Sequence, residues 1–447
     1  MEKTVMMSER STLTLPAKEI TLYGGYDVLV CGGGPAGCAA AIAAARKGAK
    51  TLLIEANYAL GGMSTLGMVP TWCPFSDKEK IIYRGIAEEI FLAGKKTTPH
   101  VPSSQLDWVP IDPEALKVIY DELLFEAGAK VLFGTFLCGA LQENGTVTAV
   151  LAANKNGLCA YQAKVYIDCT GDADLAYYAG VPCINGDGNG HTQAATHCFE
   201  LGGVNDRAYL TGPRLHNSNP QSPIHAIVQS GAYKELDDVH FCQSLIRPQT
   251  VGFNAGHLFN VDSTDAFSVS EAMRKGRKKA EAYCRALRDY CPEAFGNAYV
   301  SETAPLMGIR ESRRVIGDYV LTKDDYIARR SFPDEIGRNS YYLDIHMSDE
   351  EKKATGHKSL RYEKGESHGI PYRCLTPKGI TNLLVAGRSI STDRAVQGST
   401  RVMPVCLVTG QAAGTAAALC SEDKPNVHSL DITLLRETLR QDGAYFL

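Results

Sequence analysis

The stretch that decides the fold is residues 32–37, Gly-Gly-Gly-Pro-Ala-Gly, a turn between two segments of different periodicity. The apolar run before it, residues 26–31 (YDVLVC), predicts a buried parallel strand. The alanine-rich residues 38–47 after it predict a helix. Residues 50–54 (KTLLI) then predict a second strand, which ends in the acid Glu55. This order of strand, helix, strand and acid is typical of a βαβ unit that binds a dinucleotide.

Each glycine of the turn has a separate physical reason. Gly32 permits the tight turn after the strand, Gly34 lets the backbone approach a pyrophosphate, and Gly37 lets helix and strand pack closely. The helix start offers unpaired N–H groups and its positive dipole end to phosphates. Glu55 is placed to accept hydrogen bonds from ribose hydroxyls, and no arginine follows closely, which disfavours NADP. A glycine-rich turn alone also occurs in α/β proteins without a dinucleotide, so the prediction rests on the register of all four parts.

Two further segments also predict a strand that ends in a glycine-containing turn. Residues 164–172 (KVYIDCTGD) predict a strand that ends in a Thr-Gly-Asp turn, after a meander of strands at 129–137, 147–153 and 158–163. Residues 382–389 (NLLVAGRS) predict another strand and turn. The helix expected at 405–419 is rich in small residues, and we predict that its glycines 410 and 414 are sites of close packing.

These motifs, with the glycine doublet that follows Glu55 after five residues, resemble FAD-dependent oxidoreductases of the glutathione-reductase superfamily related to the fumarate reductase and succinate dehydrogenase flavoproteins. The resemblance covers most of the chain from about Tyr26. The doublet alone would also fit an ordinary glycine loop. The resemblance implies that FAD is bound non-covalently by these residues: Gly32, Gly34, Pro35, Ala36, Gly37, Glu55, Ala56, Gly61, Gly62, Met63, Ser64, Thr170, Gly171, Asp172, Gly387 and Arg388.

Three departures from related flavoproteins narrow the expected chemistry. Cys73 lacks the Cys-x4-Cys partner of a disulfide reductase, and a second GxGxxG of a separate NAD(P)H domain is missing. No histidine lies between Glu55 and His100, so a covalent histidyl-flavin is not expected. We therefore expect flavin chemistry without a disulfide relay.

The predicted fold class is α/β. A Rossmann-like FAD-binding domain with a parallel sheet and a β-meander carries an inserted α+β substrate or cap domain. We place the FAD-binding domain at 1–199 and 374–447 and the cap domain at 200–373. We also predict three further elements, which are a helix capped by Asp112, a long basic helix at 268–290 and a charged surface loop at 348–366.

Charge and composition limit the classes of partner that we expect this protein to bind. The net charge of −4 gives no case for nucleic acid, and no apolar stretch is long enough to span a membrane. The chain has 14 cysteines, several of them within apolar runs, and none shows the paired spacing of a metal site. We expect reduced cysteines, a cytoplasmic location and no metal, and the sequence leaves the oligomeric state open.

The catalytic candidates are histidines and arginines of the middle region. His257 and His346 rank first because each lies between apolar residues, although a lone histidine is more often structural. Arg310 and Arg401 lie in glycine- or proline-flanked stretches expected near the flavin, where arginine would bind a carboxylate bidentately. Five further residues are expected to be structural: His191, His197, His368, Arg313 and Arg314, the last as an ion pair with Glu311.

The expected function is hydride or electron transfer between flavin N5 and a small, possibly anionic, metabolite. The alternative is a flavin-bearing partner or electron-transfer subunit that acts on a macromolecule. A small ligand over the flavin ring would favour the first, and an open flavin face beside an exposed apolar patch would favour the second.

Overall fold

The computed structural model of the protein describes Leu13 and residues 16–347, 360–421 and 425–447. Most of the predicted N-terminal extension and residues 348–359 of the predicted surface loop lie outside the described residues.

The described residues form strands and helices in alternation. The strands are β1 Thr21–Cys31, β2 Thr51–Ile54, β3 Thr71–Trp72, β4 Val109–Pro110, β5 Lys130–Leu132, β6 Phe136–Glu143, β7 Thr146–Asn154, β8 Gly157–Asp168, β9 Cys183–Asn185, β10 Phe199–Gly202, β11 Phe241–Arg247, β12 Thr250–Ala255, β13 Tyr299–Thr303, β14 Arg313–Val315, β15 Glu335–Asn339, β16 His368–Pro371 and β17 Leu383–Val385. The helices are α1 Pro35–Arg46, α2 Ile86–Lys95, α3 Pro113–Ala127, α4 Asp174–Tyr178, α5 Asp206–Thr211, α6 Pro223–Ser230, α7 Ala266–Tyr290, α8 Pro292–Phe295, α9 Lys323–Ile327, α10 Arg394–Thr400, α11 Met403–Leu419 and α12 Ile432–Gln441.

The main sheet has seven strands in the order β5-β2-β1-β8-β7-β6, and β17 also pairs with β8. The pairs β1–β2, β1–β8, β2–β5 and β8–β17 are parallel, whereas β6, β7 and β8 form an antiparallel meander. Parallel strands end at the same edge of a sheet, so the segments that follow β1, β2, β8 and β17 meet there. The predicted α/β fold class with a parallel sheet and a meander is confirmed.

Two of the strand predictions were wrong in their limits. The run 129–137 is broken into β5 and β6, because the chain turns at Gly134 with a φ of 57° and its amide donates to Asn57 instead of continuing the ladder. The runs 158–163 and 164–168 are one strand, β8, whose first half pairs with β7 and whose last residues pair with β17. Local apolar runs did not encode these long-range pairings.

Helices α1 and α11 lie against each other in the main core. A Cβ on Gly410 would lie 2.1 Å from the carbonyl oxygen of Ala36, and one on Gly414 would lie 2.1 Å from that of Ala40. The predicted close packing at both glycines is confirmed. Helix α11 thereby fixes the position of α1, whose residues 35–44 are all buried.

A second sheet of four antiparallel strands, in the order β11-β12-β10-β13, carries its own core. Phe199 stacks on Phe253 with 4.9 Å between ring centroids and on Tyr283 of α7 with 5.7 Å. Helix α7 contains the predicted helix 268–290, and Asp265 caps its start. The domain limits 1–199, 200–373 and 374–447 stay a prediction.

No single helix of the described part is long and apolar enough to cross a membrane. Helices α10 and α11, which are bent by 91° relative to each other, would together be long and apolar enough for a broken membrane span, by length and composition alone.

Candidate active site

The turn after β1 forms a cradle in which only one glycine faces open space. A Cβ on Gly37 would lie 1.8 Å from the oxygen of Gly32, and a Cβ on Gly32, whose φ is 95°, would lie 2.6 Å from the oxygen of Cys169. Gly34 has an ordinary φ of −71°, and a Cβ there would meet no atom within 4 Å. No side chain caps α1, so its first N–H groups face this space and fit an anionic diphosphate.

Glu55 is tied to the cradle by its carboxylate. One oxygen accepts the amide of Gly33 at 2.6 Å, and the other accepts both nitrogens of Asn57 at 2.8 Å and 2.7 Å. This arrangement holds an acceptor beside the turn, where the ribose of a dinucleotide would lie. Asn57 was missed by the sequence reasoning, although its place two residues after the acid is a local signal.

The glycine doublet packs directly on the turn. The amide of Gly61 donates to the oxygen of Gly33 at 2.8 Å, and a Cβ on Gly62 would lie 2.9 Å from the Cα of Gly34. Ser64 is fully buried and its hydroxyl donates to the carbonyl of Gly61 at 2.7 Å, so it braces the doublet. Ala56 is exposed beside Glu55, and Met63 is partly buried.

The segments that follow β8 and β17 are joined by polar contacts. Arg388 forms an ion pair with Asp172 at 2.7 Å and lies over Gly171, whose carbonyl accepts the hydroxyl of Ser389 at 2.7 Å. Although burial opposes its ionisation, Arg388 keeps the pKa of Asp172 below its usual value. Thr170 donates its hydroxyl to Asp168 at 2.8 Å.

Gly387 connects this edge to both packed helices. Its φ is 89°, its amide donates to Thr409 of α11 at 3.1 Å, and a Cβ there would lie 3.1 Å from the Cβ of Ala36. The structure therefore brings the predicted cofactor residues that follow β1, β2, β8 and β17 to one edge of the sheet.

A row of contacting polar side chains includes three of the four catalytic candidates and extends from the middle region to the end of α10. Nε2 of His257 lies 2.8 Å from Nδ1 of His346. The outer nitrogens contact carboxylates: Nδ1 of His257 lies 3.3 Å from Asp238, and Nε2 of His346 lies 3.1 Å from Asp344. Arg401 lies at the end of this row and forms a 2.9 Å ion pair with Asp344.

The contacts of the two histidine rings depend on where their protons lie. The inner nitrogens form a hydrogen bond when one of them carries a proton, and each outer nitrogen donates to its carboxylate when it carries one. Burial and the charge of Arg310 lower the pKa of His346 to about 3. Although burial opposes ionisation, His346 and Arg401 hold the pKa of Asp344 well below its usual range.

Arg310 lies beside this row of polar side chains and is buried. Its guanidinium donates to the carbonyl of Ala194 at 2.6 Å, to the hydroxyl of Thr196 at 2.9 Å and to Asn254 at 3.3 Å. Burial and the charge of Arg401 lower the pKa of Arg310 to about 10. It has no carboxylate within ion-pair distance among the described residues, so no anionic side chain in that part of the protein neutralises its charge by direct contact.

The cluster is anchored next to the cofactor edge. The carbonyl of Arg401, at the end of α10, accepts the thiol of Cys406 at 3.4 Å, and that sulfur lies 3.9 Å from where a Cβ on Gly387 would stand. Gln397 of α10 donates to the carbonyl of Arg310 at 2.8 Å. The junction of α10 and α11 thus positions both arginines.

The residues expected to be structural have ordinary partners. His191 is exposed and contacts Asp187 at 3.0 Å, His197 contacts the carbonyl of Ala304 at 2.8 Å, and His368 contacts Tyr362 at 3.0 Å. Two arginines form ion pairs, Arg313 with Asp174 at 2.7 Å and Arg314 with Glu311 at 2.8 Å. The predicted Glu311–Arg314 pair is confirmed.

Sequence reasoning missed Asp238, His240 and Asp344. Residues 238–240 and 344–346 are both Asp-x-His triplets, and each supplies one carboxylate and one ring to the same cluster. This repeated triplet is the signal that could have found them.

The family model described as FAD dependent oxidoreductase matches residues 27–439. The digeranylgeranylglycerophospholipid reductase of Methanocaldococcus jannaschii is 32% identical over 166 residues, which cover 35% of this chain and 41% of that protein. The chain therefore matches less than half the length of this relative.

Two solved structures align with most of the chain at low sequence identity and with TM-scores below 0.5. A geranylgeranyl bacteriochlorophyll reductase-like protein from Thermoplasma acidophilum has 13% identity and a TM-score of 0.42, covering 94% of this chain and 83% of its own. The flavin-dependent brominase Bmp2 has 12% identity and a TM-score of 0.44, covering 93% and 83%. Because the family match extends over nearly the whole sequence, the chain belongs to the FAD dependent oxidoreductase family.

Proposed function

We propose that this protein transfers a hydride between N5 of FAD and a small anionic metabolite. The observation that carries the proposal is the gathering of Arg310, Arg401, His257 and His346 into one cluster beside the α10–α11 junction. When bound, FAD supplies the two-electron centre. The chain's own residues bind the substrate, orient it and hold the proton.

The charge of the cluster supports an anionic substrate. The guanidinium groups of Arg310 and Arg401 balance the carboxylates of Asp238 and Asp344, and we propose that a proton shared by the two histidine rings adds one positive charge. The buried Nε of Arg401 has no hydrogen-bond partner, and Arg310 holds only neutral acceptors. A carboxylate would satisfy both guanidinium groups in a bidentate manner.

The histidine pair supports coupled proton transfer. A hydride that leaves or joins a carbon is accompanied by a proton at the neighbouring substrate atom. The contact between Nε2 of His257 and Nδ1 of His346 holds a proton in the same cluster, and the two carboxylates fix both rings. We propose that this pair exchanges the proton with the substrate.

We propose that FAD is bound non-covalently, with its diphosphate at Gly34 and the start of α1, and its ribose at Glu55. The remaining predicted cofactor residues would line the edge formed by the segments after β2, β8 and β17. A cytoplasmic location, a small-molecule partner and the narrower relationship to fumarate reductase flavoproteins also stay proposals. An electron-transfer subunit acting on a macromolecule is the alternative that these charges favour less.

Two measurements test the proposal. Sulfite adds to flavin N5 as an anion, so its binding, read as bleaching of the visible flavin band, reports the cationic surroundings of N5. We expect sulfite affinity about tenfold lower in Arg401→Gln, which corresponds to about 1.4 kcal/mol. The exposed pair variant Arg329→Gln is the matched control, since its partner Glu366 lies on the surface. Equal sulfite affinity in all three proteins would contradict the proposed pocket.

The second measurement is anaerobic reduction of the flavin by a panel of hydroxy, amino and saturated carboxylic acids and their neutral amides. We expect a carboxylic acid to reduce the flavin faster than its amide, and oxidation of the reduced flavin by an unsaturated acid if the reaction runs in reverse. Equal rates for acids and amides would contradict an anionic substrate.

A further inference from the structure

Three histidines from separate segments converge within the cluster. Among the described residues, His240, His257 and His346 each offer a ring nitrogen, and these nitrogens all lie within 4.8 Å of one another. We propose that this trio binds a divalent transition-metal ion of the zinc class. The site is distinct from the FAD cradle and uses His240, to which the proposed function gives no role.

The three rings lie close together, but two of them are stacked. The centroids of His240 and His257 are 4.3 Å apart with 25° between the ring planes, and each lies 5.1 Å from the centroid of His346. A ligating nitrogen lies about 2.1 Å from the ion and points at it along its own ring plane, so two stacked rings do not both face one ion. Binding therefore requires the His240 ring to rotate out of the stack.

Carboxylates orient two of the rings in the manner of metal ligands. Asp238 contacts the outer nitrogen of His257 and Asp344 contacts that of His346, which leaves Nε2 of His257 and Nδ1 of His346 facing inward. Ligating histidines commonly donate their other ring nitrogen to a carboxylate, which fixes the tautomer and raises the basicity of the ligand.

His240 provides an independent observation. Its Nδ1 is buried and has no hydrogen-bond partner. Its backbone amide is held at 2.7 Å by the same Asp238 that orients His257. Among the described residues, Nδ1 of His197 and Nε2 of His368 are also buried without a partner, but of these three rings that of His240 alone lies with two other imidazoles, where a cation would satisfy it.

The chemistry of the donors favours one group of ions. Three imidazoles without a thiolate suit Zn²⁺, Cu²⁺, Ni²⁺ or Co²⁺ and exclude hard ions such as Mg²⁺ and Ca²⁺, which prefer oxygen. A bound ion would occupy the position of the proton between His257 and His346. Its effect on turnover rests on the proposed function, but its binding does not.

The experiment uses the full chain, loaded with FAD, freed of any affinity tag and stripped of metals with a chelator. Zn²⁺ is titrated calorimetrically, and the metal retained after gel filtration is measured by mass spectrometry. We expect one Zn²⁺ per chain. His240→Ala should bind Zn²⁺ at least about 100-fold more weakly while its flavin spectrum shows an intact fold. His191→Ala, which removes an exposed histidine outside the cluster, should bind Zn²⁺ like the unmodified protein.

The outcomes separate the two proposals. No stoichiometric Zn²⁺ in the unmodified protein, or equal affinity in His240→Ala, would overturn the metal site. Stoichiometric binding that disappears in His240→Ala supports the site, and inhibition of turnover by Zn²⁺ would then support the proton role of the histidine pair as well. Stoichiometric binding with unchanged turnover would support the site and contradict that proton role.

Discussion

Replacement of Gly34 by leucine separates FAD binding from folding. A Cβ at this position meets no atom within 4 Å, and the φ of −71° suits any L-residue, so we expect the free energy of unfolding of the FAD-free protein to change by less than about 0.5 kcal/mol. The leucine side chain would fill the space in front of the first N–H groups of α1. Losing two hydrogen bonds to a charged diphosphate costs about 3 kcal/mol, or about a 100-fold rise in the Kd for FAD.

The assay needs both quantities from one preparation. FAD is removed under mild denaturant, stability is measured by urea unfolding, and the Kd is read from quenching of flavin fluorescence. Gly37→Ala is the matched control, because its Cβ would lie 1.8 Å from the oxygen of Gly32 and should destabilise the FAD-free fold itself. Tight FAD binding by Gly34→Leu would refute the cradle. Unfolding of Gly34→Leu without FAD would refute the separation of the two effects.

Three other changes test single features. Burial raises the pKa of Glu200 to about 7 against the opposing charge of Arg247, so the native fold loses up to about 3 kcal/mol as pH rises from about 4.5 through 7. Glu200→Gln should abolish that loss in urea unfolding, and parallel pH profiles would contradict it. Arg310→Lys keeps the charge but loses the fork, so we expect kcat/KM to fall about tenfold or more while the melting temperature falls only by the loss of its buried hydrogen bonds; a lower melting temperature with unchanged turnover would indicate a structural role. Gly414→Leu forces a Cβ against the oxygen of Ala40 and should destabilise by about 3 kcal/mol in urea unfolding, whereas unchanged stability would contradict the α1–α11 contact.

The βαβ unit was predictable because its determinants are local. Residues 26–55 contain the strand, the turn glycines, the helix and the acid within one short segment, and each part has a physical signature. Close packing at Gly410 and Gly414 followed from the small residues of α11, whereas its partner α1 was not predicted. The break at Gly134 did not follow, because the chain leaves the ladder there through a contact with Asn57.

The candidate site was predictable only in part. His257 and His346 were singled out one by one, but the 2.8 Å contact between them joins residues 89 positions apart, and no local pattern states such a pairing. Asp238 and Asp344 complete the row of polar side chains from two different segments. The catalytic roles of these residues stay a prediction, because proximity in the fold does not establish chemistry.

The central claim is that the arginine–histidine cluster faces the flavin ring of an FAD held in the Gly34 cradle. A crystal structure of the FAD-loaded protein, grown with a carboxylate substrate identified by anaerobic reduction, tests it most directly. We predict the isoalloxazine ring and the carboxylate within contact distance, about 4 Å, of Arg401 and of His257 or His346. FAD bound in the Gly34 cradle with its isoalloxazine ring more than about 10 Å from Arg310, Arg401 and both histidines would contradict the account.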